Sequence, residues 1–234
     1  MSRIPEIIPE PARLTALAEF AAGAGHEINN PLATIVGRAQ QLLRDEADPQ
    51  RRHSLSLIAA QAYRIRDMIG DVMAFARPPE PVRVEVDLLQ ITRQAVTTLA
   101  TALADSGCSV DISAPQAMSA CVDPAQFGIV IAELVRNAQQ ALQSGGGVIL
   151  LRLTCEDAGD IVLEVIDHGQ GFSDLERRHA FDPFFSGRQA GRGLGFGLCK
   201  VWQIVRQHGG EIVINSPESG PTCVRVTWPT GQDS

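Results

Sequence analysis

The segment LTALAEFAAGAGHEINNPLATIVGRAQQLL, residues 14–43, decides how the first third of the chain folds. Its apolar residues recur at alternating spacings of three and four, which is typical of a helix with one apolar seam. The members of this seam are Leu14, Leu17, Ala21, Ala24, Ile28, Pro31 and Ile35, and Leu42 extends it. A second seam with the same spacing consists of Leu55, Ile58, Ala62, Ile65, Ile69, Val72 and Ala76. The intervening DEADP, residues 45–49, predicts a short loop, so we expect an antiparallel helical hairpin.

A single hairpin cannot bury both seams well. Two hairpins from two chains make a four-helix bundle, so we predict a homodimer. The alternative is that the hairpin packs against the rest of its own chain.

The stretch RPPEP at residues 77–81 predicts a stiff linker, because proline blocks helix continuation and favours extended geometry before it. We therefore divide the chain into a helical hairpin at 1–76, the linker, and a second domain at 82–234. The second domain mixes strand patterns with helix patterns. The strand patterns lie at 82–88, 108–113, 148–155, 160–167 and near the C-terminus, and the helix patterns lie at 88–105, 123–143 and 194–208. The fold class is α+β, with a sandwich-like second domain in which a mixed sheet carries helices on one face.

The composition and charge of the chain exclude some classes of function. A net charge of -7 over 234 residues argues against nucleic acid as a partner. The chain has no run of about 18 apolar residues and no signal-peptide pattern, so we expect a cytoplasmic piece without membrane contact of its own. An upstream sensor or membrane domain is compatible with that expectation. The five cysteines fit no zinc spacing and are expected to be reduced, buried thiols, with a redox switch as the alternative.

The segment HEINNPL, residues 26–32, places His26 on the first helix at a heptad position that points away from the seam. A neutral imidazole is a competent nucleophile near neutral pH. Glu27 could orient the ring or take its proton, and Asn30 lies one turn further on the same face. Pro31 is expected to kink the helix here. Taken alone, such a histidine is usually a plain surface residue, and only the combination with other motifs gives it weight.

Two segments of the second domain suit nucleotide chemistry. In ELVRNAQQAL, residues 133–142, Glu133 and Asn137 share a helix face and can bind Mg²⁺ directly or through water. The alternative is that the two residues belong to an exposed polar stripe without a ligand. In DHGQGF, residues 167–172, Asp167 ends an apolar strand and can accept a hydrogen bond from an adenine amino group. Gly169 and Gly171 would let the backbone approach the base, although a simple turn is the alternative.

Two further segments follow. FDPFF at residues 181–185 includes Phe184 and could anchor a mobile segment or plug the core. GRGLGFGL at 191–198 opens a helix, and glycine-rich backbone at a helix N-terminus binds anions. Arg188 and Arg192 flank this loop, and residues 185–193 could form a lid over ATP. Lys200 is the only lysine, and both the P-loop and the GxGxxG patterns are absent.

In order and spacing, HEINNPL, ELVRNAQQAL, DHGQGF, FDPFF and GRGLGFGL resemble the H, N, G1, F and G2 boxes of sensor histidine kinases. The resemblance covers roughly residues 12–228 and is greatest to nitrogen-regulation-type kinases. The second domain is similar to the ATPase superfamily of gyrase, heat-shock chaperones and mismatch-repair proteins.

The resemblance implies an enzyme that phosphorylates His26 from ATP and then passes the phosphoryl group to an aspartate of a response regulator, with a regulator phosphatase activity as an option. It implies Glu27 as base, Asn30 as polar helper, Asn137 and Glu133 as the Mg²⁺ site, and Asp167 as the adenine ligand. The remaining nucleotide-binding residues it implies are Gly169, Gly171, Phe184, Arg188, Gly191, Arg192, Gly193, Leu194, Gly195 and Gly197.

The chain departs from the family pattern at several positions. Arg192 stands where Thr is frequent, Phe196 where Leu is, and Gln140 where Lys is. The lid is short and carries arginines. These departures motivate two rival interpretations: a degenerate dimeric scaffold that binds ATP and a regulator, and an ATPase that only changes conformation. The second rival leaves the HExxN hairpin unexplained.

Overall fold

A computed structural model of the chain describes residues 6–76, 78–116, 118–142, 145–156, 159–185, 195–217 and 220–229, without the side chains of His26, Asp71 and Ala74. The helices are α1 Pro11–Asp45, α2 Pro49–Ala76, α3 Leu88–Thr98, α4 Ala100–Asp105, α5 Pro124–Ala141, α6 Asp174–His179 and α7 Gly197–Gln207. The strands are β1 Glu6–Ile7, β2 Val84–Asp87, β3 Cys108–Ser113, β4 Ser119–Val122, β5 Gly147–Cys155, β6 Ile161–Asp167, β7 Glu211–Asn215 and β8 Thr222–Trp228.

The chain forms two compact units. Among the described residues, those between 11 and 79 make one unit, and those before Pro11 and from Glu80 onward make the other. The sequence-based division placed residues 1–76 in the hairpin. In the structure, Glu6 and Ile7 pair with β7 in the second unit. Two strand residues framed by prolines are too short to show a periodic pattern, which is why the sequence did not reveal them.

The first unit is the hairpin of α1 and α2. Asp48 begins α2 by accepting the N–H groups of Gln50 and Arg51, each at 2.9 Å. Arg52 donates to the carbonyl oxygens of Leu43 and Glu46 and so closes the end of α1. Helix α1 runs without interruption through Pro31, so the residues around the proline stay helical.

Gly25 sets the approach of the two long helices. A Cβ atom at this position would lie 2.4 Å from Sδ of Met73 and 3.6 Å from Cγ2 of Ile69. A larger residue at this position, just before His26, would therefore require the Met73 side chain to move. Several other seam residues stay exposed in the single chain: Ile28 39%, Ile35 45%, Leu42 59%, Ile58 50% and Ile65 42%.

The second unit contains a six-stranded sheet in the order β1-β7-β8-β6-β5-β3. Strands β3 and β5 run parallel, and the other neighbours are antiparallel, so the sheet is mixed. Strands β2 and β4 form a separate pair. Helix α5 packs between α3 and α7 and against the sheet, which fills the core with fully buried side chains: Phe127, Ile131, Leu134, Leu151, Leu163 and Val226.

The α+β fold class and the mixed sheet confirm the prediction. The structure adds β4, which the sequence pattern did not reveal, and α6, which lies within residues 169–195, where the sequence predicts a glycine-rich loop. The helix predicted at 88–105 is broken at Leu99 into α3 and α4.

All five cysteines are free, as predicted, but Cys121 and Cys155 are exposed, so the prediction of burial is wrong for these two. Cys121 lies on the outward face of β4, whereas Cys155 is exposed as the last residue of β5. Within the ranges described above, no helix combines the length and apolar character needed to cross a membrane.

Candidate functional site

The acceptor motif lies near the middle of α1. Glu27 and Asn30 are both exposed, on the face opposite the buried Gly25 and Leu32. Thr34 donates its hydroxyl to the carbonyl oxygen of Asn30 at 3.2 Å, which gives that carbonyl a partner next to Pro31. His26 belongs to the same helix, and its side chain lies outside what the structure describes. The exposed carboxylate and amide are accessible to a ligand or a second domain.

Helix α5 carries the next pair of site residues. Its N-terminus is capped by Asp123, which accepts the N–H of Gln126 at 2.9 Å, with Pro124 in the first turn. Glu133 and Asn137 lie one turn apart on the face that meets α7. The Nδ2 atom of Asn137 is buried and has no hydrogen-bond partner among the described residues. An orphaned buried donor of this kind is costly unless a ligand satisfies it.

The first turn of α7 lies directly against these two side chains. A Cβ atom at Gly197 would be 3.3 Å from Oδ1 of Asn137 and 3.5 Å from Oε2 of Glu133. The N-cap residue Phe196 makes no side-chain hydrogen bond to the helix. Phe196 therefore gives the first N–H groups of α7 no side-chain cap, and this turn lies beside Glu133 and Asn137, where such N–H groups favour an anion.

Asp167 ends β6 with only 4% of its surface exposed. Burial raises the pKa of its carboxyl group above the usual value, although the Gly169 N–H and the charge of His168 act in the opposite direction. Its Oδ1 atom accepts the N–H of Gly169 at 2.8 Å. A buried carboxylate with spare acceptor capacity suits a ligand that donates an amino hydrogen.

Gly169 and Gly171 shape the loop after β6. A Cβ atom at Gly169 would lie 2.6 Å from the carbonyl oxygen of Ala141, the last residue of α5. Gly171 has φ of +69°, a left-handed conformation that favours glycine. Gly169, which is hydrogen-bonded to Asp167, thus seats the loop against the C-terminal end of the helix that carries Asn137, and Gly171 turns the loop beside Ser216.

Sequence reasoning missed three polar residues that hold this loop. Ser216 and Thr222 are almost fully buried, their hydroxyls are 3.0 Å apart, and Ser216 accepts the N–H of Phe172 at 3.2 Å. Arg177 on α6 donates Nε to the carbonyl oxygen of Phe172 at 3.1 Å and Nη2 to that of Ser216. Thr222 faces Asp167 only through the β6–β8 register, which no local pattern reveals.

The ends of the predicted lid are in contact. Phe184 has φ of +64° and is 62% exposed, and its ring meets the buried Phe196 edge to face with centroids 4.7 Å apart. Gly195, with φ of +69°, lies so close to Phe185 that a Cβ atom would be 2.4 Å from its carbonyl oxygen. The residues on either side of the predicted lid are therefore held together. Five predicted lid and loop residues lie outside the described residues: Arg188, Gly191, Arg192, Gly193 and Leu194.

Glu133 is held by two cations. Its Oε1 atom lies 3.2 Å from Nη1 of Arg136 on the same helix and 3.5 Å from Nζ of Lys200 on α7. The sequence offered one signal for Lys200, since it is the only lysine and lies three residues after Gly197. The two cations keep the Glu133 carboxylate beside the uncapped helix end.

Taken together, the described residues fit a magnesium nucleotide. The uncapped α7 N-terminus and the Asn137 amide suit phosphate and metal, and Asp167 at the other end of the region suits an amino group on a base. Within the described ranges, no group of three or more His, Cys, Asp or Glu side chains is placed to hold a metal ion.

Comparisons with known proteins agree with this geometry. Residues 122–232 match the family model described as histidine kinase-, DNA gyrase B-, and HSP90-like ATPase. Residues 16–81 match the model described as the His Kinase A (phospho-acceptor) domain. The two models thus match the hairpin and the sheet-containing unit separately.

Whole-chain relatives carry both parts. The sensor histidine kinase ZraS of Klebsiella oxytoca is 31% identical over 211 residues, covering 89% of this chain and 44% of the relative. The sensory histidine kinase/phosphatase NtrB of Shigella flexneri is 30% identical over 216 residues, covering 88% of this chain and 60% of the relative. This chain therefore spans about half the length of the curated relatives it matches.

Solved structures support the fold. Full-length ShkA in complex with AMPPNP matches with a TM-score of 0.73 at 20% identity, over 92% of this chain and 46% of that one. The Acinetobacter baumannii histidine kinase AdeS matches with a TM-score of 0.61 at 15% identity, over 88% of this chain and 98% of that one. Because a phosphoacceptor hairpin and an ATP-binding domain follow one another here as they do in these relatives, the chain belongs to the two-component sensor histidine kinases and carries their catalytic core.

Proposed function

We propose that this chain uses Mg²⁺-ATP to phosphorylate its own His26 and then passes the phosphoryl group to an aspartate of a response-regulator receiver domain. The observation that carries the proposal is the meeting of Glu133, Asn137 and the uncapped first turn of α7. This arrangement suits the phosphates of a nucleotide, and the chain supplies an exposed HExxN segment as acceptor on α1.

Asp167 receives the adenine end of the nucleotide in this proposal. Its buried carboxylate accepts a hydrogen bond from the exocyclic amino group. This bond stabilises the ionised form and so counteracts the rise in pKa that burial causes. Gly169 and Gly171 let the loop pack closely on Ala141 and Ser216, since a side chain at either position would strike these residues, and the loop backbone thereby stays beside Asp167. The loop is held in place by Arg177.

At the other end of the nucleotide, the N–H groups of α7 and the amide of Asn137 hold phosphate oxygens. Mg²⁺, when bound, neutralises the charge that develops on the phosphoryl group. Asn137 and Glu133 are the described residues that would hold it, directly or through water. Arg188 and Arg192 are proposed to add positive charge from the lid, in place of the lysine that is absent at Gln140.

His26 is the proposed nucleophile. One ring nitrogen forms a bond to the γ-phosphorus while the bond to the bridging oxygen breaks, and ADP leaves. Glu27 takes the proton from the ring, and Asn30 holds a phosphoryl oxygen or a water on the same face. The same Asn30 is proposed to serve a phosphatase reaction on the receiver domain.

We also propose that the active form is a homodimer. Exposed apolar side chains run along the hairpin, among them Ile28, Ile35 and Leu42 on α1 and Ile58 and Ile65 on α2. A second hairpin would bury them in a four-helix bundle.

The experiment is incubation of the purified chain with Mg²⁺ and γ-labelled ATP. The wild-type chain is expected to become labelled and to lose its label to an added receiver domain. His26→Gln is expected to bind ATP and remain unlabelled, whereas His53→Gln, which changes an exposed histidine of α2, is expected to label normally. Label on His26→Gln would rule out His26 as the acceptor, and ATP binding without label on any variant would rule out the kinase.

A further inference from the structure

The N-terminal strand β1 adds to the outer edge of the sheet in the ATP-binding domain. Glu6 pairs with Asn215 and Ile7 with Ile214, in antiparallel register along β7. Ile7 is 5% exposed, whereas the next residue, Ile8, is 63% exposed. An edge strand presents unpaired N–H and C=O groups, which an extended segment can satisfy. The edge of β7 is thus a docking site for an extended strand, and its occupant is this chain's own segment just before α1.

This docking is small in extent. Strands in globular proteins usually have about five or six residues, whereas β1 has two. A single apolar side chain, that of Ile7, is buried by it, and Glu6 remains exposed. Pairing of this size can open while the rest of the sheet, held by β8, β6 and β5, stays folded.

The pairing changes how the ATP-binding domain is attached to the hairpin. Only residues 8–10 separate β1 from Pro11, the first residue of α1, so Ile7 stays within about 14 Å of that residue. The rise of a helix puts His26 roughly 22 Å further along α1. The other connection runs from the end of α2, which is close to the level of His26 because Gly25 meets Met73.

A domain held through two short connections has fewer orientations open to it than a domain held through one. Phosphoryl transfer to His26 requires the nucleotide to come in line with the ring. We propose that the β1–β7 pairing is a releasable tether: while Glu6 and Ile7 occupy the edge of β7, the domain is held at both ends and autophosphorylation is slow. This inference rests on the proposed kinase function.

The test compares Ile7→Ser with Ile8→Ser in the otherwise complete chain. The two changes are chemically identical and one residue apart, but only the first removes a buried side chain. Hydrogen exchange of the peptide containing residues 211–215 reports whether β7 loses its partner. Ile7→Ser is expected to speed exchange there and to raise the initial rate of labelling from γ-labelled ATP by about threefold or more, with unchanged nucleotide affinity.

A third variant separates pairing from tethering. Insertion of a flexible Gly/Ser stretch between Glu10 and Pro11 leaves β1 intact but gives the connection slack. It is expected to raise the labelling rate as Ile7→Ser does, while exchange of residues 211–215 stays as slow as in the wild type. Ile8→Ser is expected to match the wild type in both measurements.

Three results would overturn the tether. Unchanged exchange in Ile7→Ser would mean that β1 does not pair in solution. Faster exchange with an unchanged or lower labelling rate would mean that the pairing does not restrain the reaction. A slack variant that labels no faster than the wild type would mean that any restraint is not a tether. Absence of label on every chain, wild type included, would instead refute the proposed function, and this inference with it.

Discussion

The ammonium nitrogen of Lys200 lies 3.5 Å from Oε1 of Glu133, and this ion pair connects α7 to α5 beside the uncapped end of α7. The side chains are 19% and 18% exposed, so the pair is partly shielded from water. Arg136 reaches the same oxygen at 3.2 Å, although its own side chain is 45% exposed. If either cation is removed, Glu133 therefore still has the other as its ion-pair partner.

This redundancy predicts non-additive stability. Lys200→Met and Arg136→Met are each expected to destabilise the domain by less than about 1 kcal/mol, because one cation remains. The double variant leaves a half-buried carboxylate without either cation and is expected to lose more than the sum of the two, by about 0.5 kcal/mol or more. Urea denaturation followed by tryptophan fluorescence measures this, since Trp202 and Trp228 both lie in the second unit. Additive losses of unfolding free energy would contradict the idea that each cation can replace the other.

The contact between Gly169 and Ala141 predicts the effect of one methyl group. Gly169→Ala would place Cβ 2.6 Å from a backbone carbonyl, so either the loop or the end of α5 must move. We expect a loss of about 1–3 kcal/mol in stability and about tenfold or more in nucleotide affinity. The control is Gly37→Ala on α1, where nothing lies within 4 Å and where alanine favours the helix. Fluorescent ADP binding and thermal melts check both, and equal behaviour of the two variants would contradict the account.

Asp167→Asn is expected to separate stability from binding. Burial raises the pKa of Asp167, so the folded state disfavours the ionised form, and this carboxylate lowers stability at neutral pH. The amide oxygen of asparagine can still accept the Gly169 N–H. We expect an unchanged or higher melting temperature and about 10- to 100-fold weaker ATP binding, because a charge-assisted hydrogen bond to the base is lost. A variant that is less stable but still binds ATP normally would show that Asp167 is structural.

The buried His208 predicts a pH dependence. Burial lowers the pKa of its ring below the ordinary 6.5, and the charge of Arg83 adds to this, against the opposing effects of the Ile204 carbonyl and Asp123. The unfolded chain then takes up a proton before the folded one does. Stability is therefore full above 6.5 and falls as the pH drops below that value toward the folded pKa.

Urea denaturation of the wild type at a series of pH values between about 8 and 5.5 measures this. His208→Gln is expected to flatten the profile, whereas His53→Gln, at an exposed position of α2, is expected to keep the wild-type slope. A wild-type slope in His208→Gln would assign the pH dependence to another group. Protonation of Asp123 acts only at more acidic pH: burial opposes its ionisation, but the N–H groups of Gln126, Val82 and Ala125 outweigh burial and lower its pKa.

Local patterns in the sequence were enough to predict the hairpin and most of the second domain. The period of three and four located α1 and α2, and Asp123 followed by Pro124 located the start of α5. These signals lie within one element. The pairing of β1 with β7, and of β2 with β4, joins segments far apart in the chain, so no single stretch could indicate them.

In the candidate site, too, local patterns predict some residues, and tertiary packing alone brings in the others. Glu133 and Asn137 share a helix face by spacing alone, and Asp167 ends an apolar strand. Ser216, Thr222 and Arg177 come next to that loop through sheet register and the position of a short helix, and both depend on tertiary packing.

The central claim is that His26 accepts the γ-phosphoryl group of ATP. The most direct measurement is the acid and alkali stability of the label on the chain, followed by mapping of the labelled peptide at alkaline pH. We predict a label that is lost in acid, kept in alkali, and found only on the peptide that contains His26. A label that survives acid, or one that maps to a peptide without His26, would contradict the claim.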